Sequence, residues 1–173
     1  RFPEQVTWRP LKLGREEALA GADGRERGLV VEAVPVPGKL PIHLERHGAP
    51  DPEDNIGLRI REVSTGRRLA YFPAAGALTA TVREALGDAD CVFFDGTFWS
   101  PDELPAQGLG TKRADDMAHL PMGGGEGSLA ALRELRASRR VYIHVNNTNP
   151  VLRDDAPERK DASARNRSAC SAT

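Results

Sequence analysis

Residues 90–99 read DCVFFDGTFW. Four consecutive non-polar residues between two aspartates are too few for a helix and too continuous for a half-solvated strand, so the stretch reads as a strand buried on both faces. Gly96 follows Asp95 at once, which turns the chain and leaves the carboxylate at the strand's C-terminal end. The pattern recurs in residues 141–149, VYIHVNNTN, where a strand over Val141 to Val145 delivers His144. Ligand crevices of open α/β sheets lie at the carboxyl ends of strands. Two such strands therefore set both the fold class, a layered α/β arrangement in which helices cover sheets, and the place to look for chemistry.

Working toward the N-terminus, Leu78, Val82 and Leu86 recur at helical spacing, and Gly87 is placed to end that helix in the left-handed conformation. Residues 55–63 (NIGLRIREV) and 68–72 (RLAYF) flank Ser64-Thr65-Gly66 and predict a β-hairpin. Residues 29–36 (LVVEAVPV) predict a strand after the glycine-rich turn 21–28, and residues 7–13 (TWRPLKL) alternate like another. Prolines through residues 37–54 predict a long exposed loop. Toward the C-terminus, Leu129, Leu132 and Leu135 predict a helix from Ser128, its N-cap, to Arg139, with Arg133, Arg136, Arg139 and Arg140 as a solvated cationic face near its C-terminal end. Residues 161–173 hold no large apolar side chain. They are expected to be a disordered tail, leaving residues 1–160 as part of a single domain.

Lysines and arginines number 24 against 25 acids, mixed along the chain for a net charge of −1, which gives no electrostatic reason to expect nucleic acid or an anionic membrane as partner. No apolar run approaches the roughly 20 residues that span a bilayer and no signal-peptide pattern opens the chain, so the expected compartment is the cytoplasm. Cys91 lies in an apolar run and Cys170 in the polar tail. That placement argues against a disulfide framework or a CxxC metal pair.

Asp95 and His144 are the leading candidates for chemistry. A carboxylate oxygen and an imidazole nitrogen suit Zn²⁺ or Fe²⁺, and Asn146, Asn147 and Asn149, with Thr97 after Asp95, are placed to hold such ligands through hydrogen bonds. The residues alone leave an ordinary alternative open: Asp-Gly-Thr also makes a plain Asx-turn, and a histidine at a strand end is often only hydrogen-bonded. His119, in a loop between the two strand ends, lines the same crevice on this reading. His43 and His47 have helical zinc-pair spacing, but the prolines around them argue against a helix. The loop MGGGEGS, residues 122–128, lacks the Walker lysine and reads as a helix entry.

Taken together, DNIGLRI, DGTFW, GLGTKRADDMAHLP, the glycine loop and IHVNNTNPVLRDDAPER resemble the C-terminal half of the pyrroloquinoline quinone biosynthesis protein B family, from about Trp8 to Arg159. The resemblance implies a metallo-β-lactamase-like αββα sandwich, of which this chain carries an incomplete, C-terminal half. By motif position Asp95 is similar to the superfamily's metal-bridging aspartate and His144 to its last ligand histidine; His119 becomes a pocket residue. The superfamily's first metal motif, resembling HxHxDH, has no counterpart here, so the remaining ligands of an Fe²⁺ or Zn²⁺ site are expected outside this chain and the chain alone is expected to be inactive. The implied role is in making the cofactor pyrroloquinoline quinone (PQQ), as an iron-dependent oxygenase that hydroxylates a Glu-Tyr-derived precursor. The alternatives are a carrier that moves PQQ or its precursor toward the periplasm, or a metal-dependent hydrolase. The implied partners are that small-molecule or dipeptide-derived precursor and a second copy of the chain as a homodimer.

Overall fold

The computed structural model describes residues 8–40 and 51–165. Six strands, β1 Glu16–Ala20, β2 Glu26–Pro35, β3 Ile56–Glu62, β4 Arg68–Phe72, β5 Cys91–Asp95 and β6 Arg139–Ile143, form one sheet in chain order. The pairs β1–β2, β2–β3 and β3–β4 are antiparallel, and β4–β5 and β5–β6 are parallel. Parallel pairs need a crossover. Helix α1, Ala80–Gly87, supplies the first, and a longer one carries α2, Glu103–Ala106, and α3, Ser128–Leu132. Helix α4, Pro157–Arg165, follows the sheet. The fold is α/β with a mixed sheet, as the two buried strands predict.

Strand alternation gives the sheet two unlike faces. Ala70, Phe72, Val92 and Phe94 point to one face, are fully buried, and pack with Val82, Ala85 and Leu86 of α1 and with Leu132 of α3. Gly57 pairs toward this face, and a Cβ there would lie 2.3 Å from the Phe72 ring, so the aromatic rests directly on the β3 backbone. The registers Leu58↔Tyr71, Ile60↔Leu69, Tyr71↔Phe93 and Phe93↔Val141 place a second apolar row on the opposite face, where these side chains are only half-buried. Strand β5 is thus sealed on one face rather than on both.

Several elements differ from expectation. Residues 8–12 form no strand, and Leu13 makes a single bridge to Ala33. Strand β1 comes instead from EEALA, whose glutamates hide the strand signal, Glu16 exposed and Glu17 half-buried at the sheet edge. Helix α1 is capped by Thr79, whose Oγ1 accepts from Val82 N at 3.3 Å, but Gly87 stays helical and Asp88, at φ −106°, is the C-cap. Helix α3 ends at Leu132, not Arg139, because Arg139 and Arg140 pair with Cys91 and Val92 as strand residues. Arg140 is therefore buried, donating to Leu135 O at 2.6 Å, not part of a solvated face. Gly127 is the N-cap of α3, while Ser128 turns inward to Tyr142 Oη at 3.1 Å. Helix α4 runs on through residues 161–165. His43, His47, Cys170 and residues 166–173 lie outside the described residues. No helix among the described residues is long and apolar enough to cross a membrane.

Candidate metal centre

Parallel pairing brings the C-terminal ends of β5 and β6 side by side. Gly96 N donates to Ile143 O at 2.8 Å and Asn146 N to Thr97 O at 3.1 Å, so the two turns that follow the strands are laced together. His144 follows β6 at φ +56° and Ala118 precedes His119 at φ +58°. Both are left-handed positions held by non-glycine residues, a conformation that persists only where the surroundings enforce it.

Asp95 is fully buried. Its Oδ1 accepts from Thr97 N at 3.0 Å and from Thr97 Oγ1 at 2.5 Å, which is the Asx-turn the sequence allows. Its Oδ2 accepts from Ala75 N at 3.0 Å and lies 2.6 Å from His119 Nδ1. Thr97 Oγ1 also lies 2.8 Å from His144 Nδ1 and 3.1 Å from His119 Nδ1. The hydroxyl has one proton, and its short contact to the carboxylate takes it. The network thus assigns Nδ1–H to both histidines: His144 donates to Thr97 and His119 donates to Asp95. In the neutral rings the lone pair is then on Nε2.

The rings of His119 and His144 lie 5.4 Å apart, and one potential ligand atom from each of Asp95, His119 and His144 falls within 4.8 Å of the other two. His119, at 14% side-chain exposure, is walled by Phe98 edge-on at 5.9 Å, while His144 is 56% exposed and open to a ligand. A buried carboxylate beside two imidazoles whose Nδ1 protons are held is a donor set that fits a borderline divalent ion. The structure brings His119, placed by sequence only in the pocket, to 2.6 Å from Asp95, with only the Thr97 hydroxyl nearer at 2.5 Å.

None of the three asparagines hydrogen-bonds the side chains of this cluster among the described residues. Asn149, almost fully buried, donates to Gly96 O at 2.9 Å and accepts from Val151 N at 3.1 Å, pinning the turn after Asp95. Asn146 donates to Thr148 Oγ1 at 2.6 Å, and Asn147 lines an adjoining cleft. Sequence reasoning missed Glu103, a buried carboxylate accepting from Trp99 N at 2.7 Å and Thr148 Oγ1 at 2.6 Å and so clamping the two turns together. Nearby, burial pushes the Tyr142 hydroxyl above its usual range and keeps it a neutral partner of Ser128.

The beta-lactamase superfamily domain model matches residues 1–145. Coenzyme PQQ synthesis protein B of Cupriavidus necator is 45% identical over 134 residues, covering 78% of this chain and 44% of that protein. The protein of the same name from Pseudomonas fluorescens is 40% identical over 161 residues, covering 93% and 52%. A crystal structure of Zn(2+)-bound PqqB from Methylobacterium extorquens aligns with TM-score 0.78 and 36% identity over 90% of this chain and 50% of that one. The chain spans about half the length of the curated relatives it matches. With the mixed sheet and its helices in the metallo-β-lactamase-like arrangement, the chain belongs to the beta-lactamase superfamily domain family, alongside the coenzyme PQQ synthesis B proteins it resembles.

Proposed function

We propose that the chain takes part in making pyrroloquinoline quinone, through a divalent-metal site to which Asp95, His119 and His144 contribute. The observation that carries this reading is the convergence of one buried carboxylate and two imidazoles within 4.8 Å at the ends of two parallel strands. The names of the relatives and the zinc in the PqqB structure from Methylobacterium extorquens support it.

Two histidines and one carboxylate suit Zn²⁺ and are also the donor pattern of non-haem Fe²⁺ oxygenases. On the second ground we read the activity as hydroxylation of the tyrosine ring of a Glu-Tyr-derived precursor. Bound iron would supply oxygen activation at its open positions. The chain's own residues do the positioning: Thr97 fixes the His144 ring through Nδ1, Asp95 holds His119 beside the cluster until an ion takes the place of that contact, and Asn149 and Glu103 hold the turns that follow the strands. The exposed edge of His144 is the side from which a substrate reaches the cluster.

The test is to load the protein anaerobically with Fe²⁺, measure bound iron by elemental mass spectrometry, and follow the precursor by mass after oxygen is admitted. About one ion per chain, lost in Asp95→Ala and His144→Ala, is expected, because removing one ligand of a preformed site strips most of its affinity. Gain of one oxygen atom by the precursor, assayed with the chain joined to the N-terminal half of a relative that it does not span, supports the oxygenase reading. Equal iron in the wild type and both variants would overturn the site.

A further inference from the structure

The stretch NNTN, residues 146–149, follows His144 without touching the side chains of the metal cluster, yet it is tied down on both sides. Asn149 N donates to Asn146 O at 3.0 Å and closes a turn. Toward Asp95, Asn146 N donates to Thr97 O at 3.1 Å and Asn149 Nδ2 to Gly96 O at 2.9 Å. Toward α2, Thr148 Oγ1 donates to Glu103 Oε1 at 2.6 Å while accepting from Asn146 Nδ2 at 2.6 Å, and Thr148 O accepts from Gln107 Nε2 at 3.1 Å. Glu103 Oε2 takes Trp99 N at 2.7 Å, which returns the path to the turn after Asp95. These bonds make a closed ring through Thr97, Trp99, Glu103, Thr148 and Asn146, with the Thr148 hydroxyl serving it as donor and acceptor at once.

His144, two residues before Asn146, needs such a hold. It is a non-glycine residue at φ +56° with a side chain 56% exposed, so packing does little to fix either its backbone or its ring. Glu103 is a buried carboxylate, costly to keep, and with both oxygens filled it enforces one arrangement of its partners. We infer that Thr148 is a positioning residue for the metal centre: by joining Glu103 to Asn146, its hydroxyl holds the turn that keeps His144 left-handed and its Nδ1 on Thr97, leaving Nε2 for the ion. The last step rests on the metal reading of the cluster; the hold on the His144 ring does not.

Thr148→Val keeps the side chain's shape and deletes its hydroxyl, Thr148→Ser keeps the hydroxyl, and Gly57→Ala loosens the core without touching the ring of hydrogen bonds. In imidazole ¹H–¹⁵N spectra of the metal-free chain, the His144 Nδ1–H signal is expected in the wild type, Thr148→Ser and Gly57→Ala and lost to solvent exchange in Thr148→Val. Chelator competition is expected to show zinc held about 10- to 100-fold more weakly by Thr148→Val and as in the wild type by Thr148→Ser. Circular dichroism melts report folding, and Glu103→Gln, which turns one acceptor of the ring into a donor, carries the same expectations if Thr148→Val does not fold. A wild type without the signal, a signal that survives Thr148→Val, its equal loss in Gly57→Ala, or unchanged zinc affinity in Thr148→Val would overturn the inference. A wild type that shows the signal but takes up no zinc would overturn the metal reading instead, while the same spectra still decide whether Thr148 holds His144.

Discussion

At the residue scale the cluster turns on the two oxygens of Asp95 and the one hydroxyl of Thr97. The carboxylate already takes Ala75 N, Thr97 N, Thr97 Oγ1 and His119 Nδ1, which fills the roughly four acceptor sites of the group. An incoming metal that uses Asp95 must displace one of these donors. Two are backbone amides and Thr97 sits in the same turn, so His119 is the one free to move. Zinc titration followed by imidazole ¹H–¹⁵N spectra is therefore predicted to shift the His119 resonances as the ion binds; stoichiometric zinc with an unmoved His119 ring would contradict this. Thr97→Val deletes the hydroxyl that touches Asp95, His119 and His144, and is predicted to lower metal affinity about 10- to 100-fold, as loss of a supporting hydrogen bond around a metal ligand does. Competition against a chelator measures it, and unchanged affinity would show that Thr97 is only a turn residue. Asp95 and His144 were legible in the sequence because each ends an apolar strand. His119 was legible only as a residue of the same crevice; its direct contact with Asp95 was not, because a loop residue 24 positions from Asp95 meets it only through the tertiary fold.

At the scale of elements, Gly57 decides how closely Phe72 approaches the sheet. A methyl group there must displace a ring held at the centre of the core, so Gly57→Ala is predicted to destabilise the fold by about 1–3 kcal/mol, the usual range for overpacking, read from chemical denaturation. A loss under about 0.5 kcal/mol would mean that the ring relaxes freely. Helix α1 and the hairpin β3–β4 were readable because apolar spacing, turn chemistry and burial agree in them. Strand β1 was not, since a glutamate-rich edge strand carries little apolar signal. The over-long α3 has a similar cause: Arg139 and Arg140 look like helix-ending cations in isolation, and only pairing with β5 makes them strand residues.

For the whole molecule, one sheet face is sealed by α1 and α3 while the other shows a half-buried apolar row from Leu58 to Val141. In the αββα arrangement that the resemblance implies, a second sheet lies against such a face. Phe94→Ala on the sealed face is predicted to cost about 3–5 kcal/mol, as for a buried aromatic, whereas Leu69→Lys on the open face should cost well under that and reduce binding of a hydrophobic dye. Equal losses from the two substitutions would mean that both faces are equally buried in solution. This scaffolding brings two strand ends and one loop together at the proposed ion site. X-ray absorption at the zinc edge of the loaded chain, beside Asp95→Ala, His119→Ala and His144→Ala, tests that directly. One ion with imidazole nitrogen and carboxylate oxygen neighbours at about 2.0–2.2 Å, its spectrum altered by each substitution, is the predicted result; a spectrum that none of the three changes would contradict it.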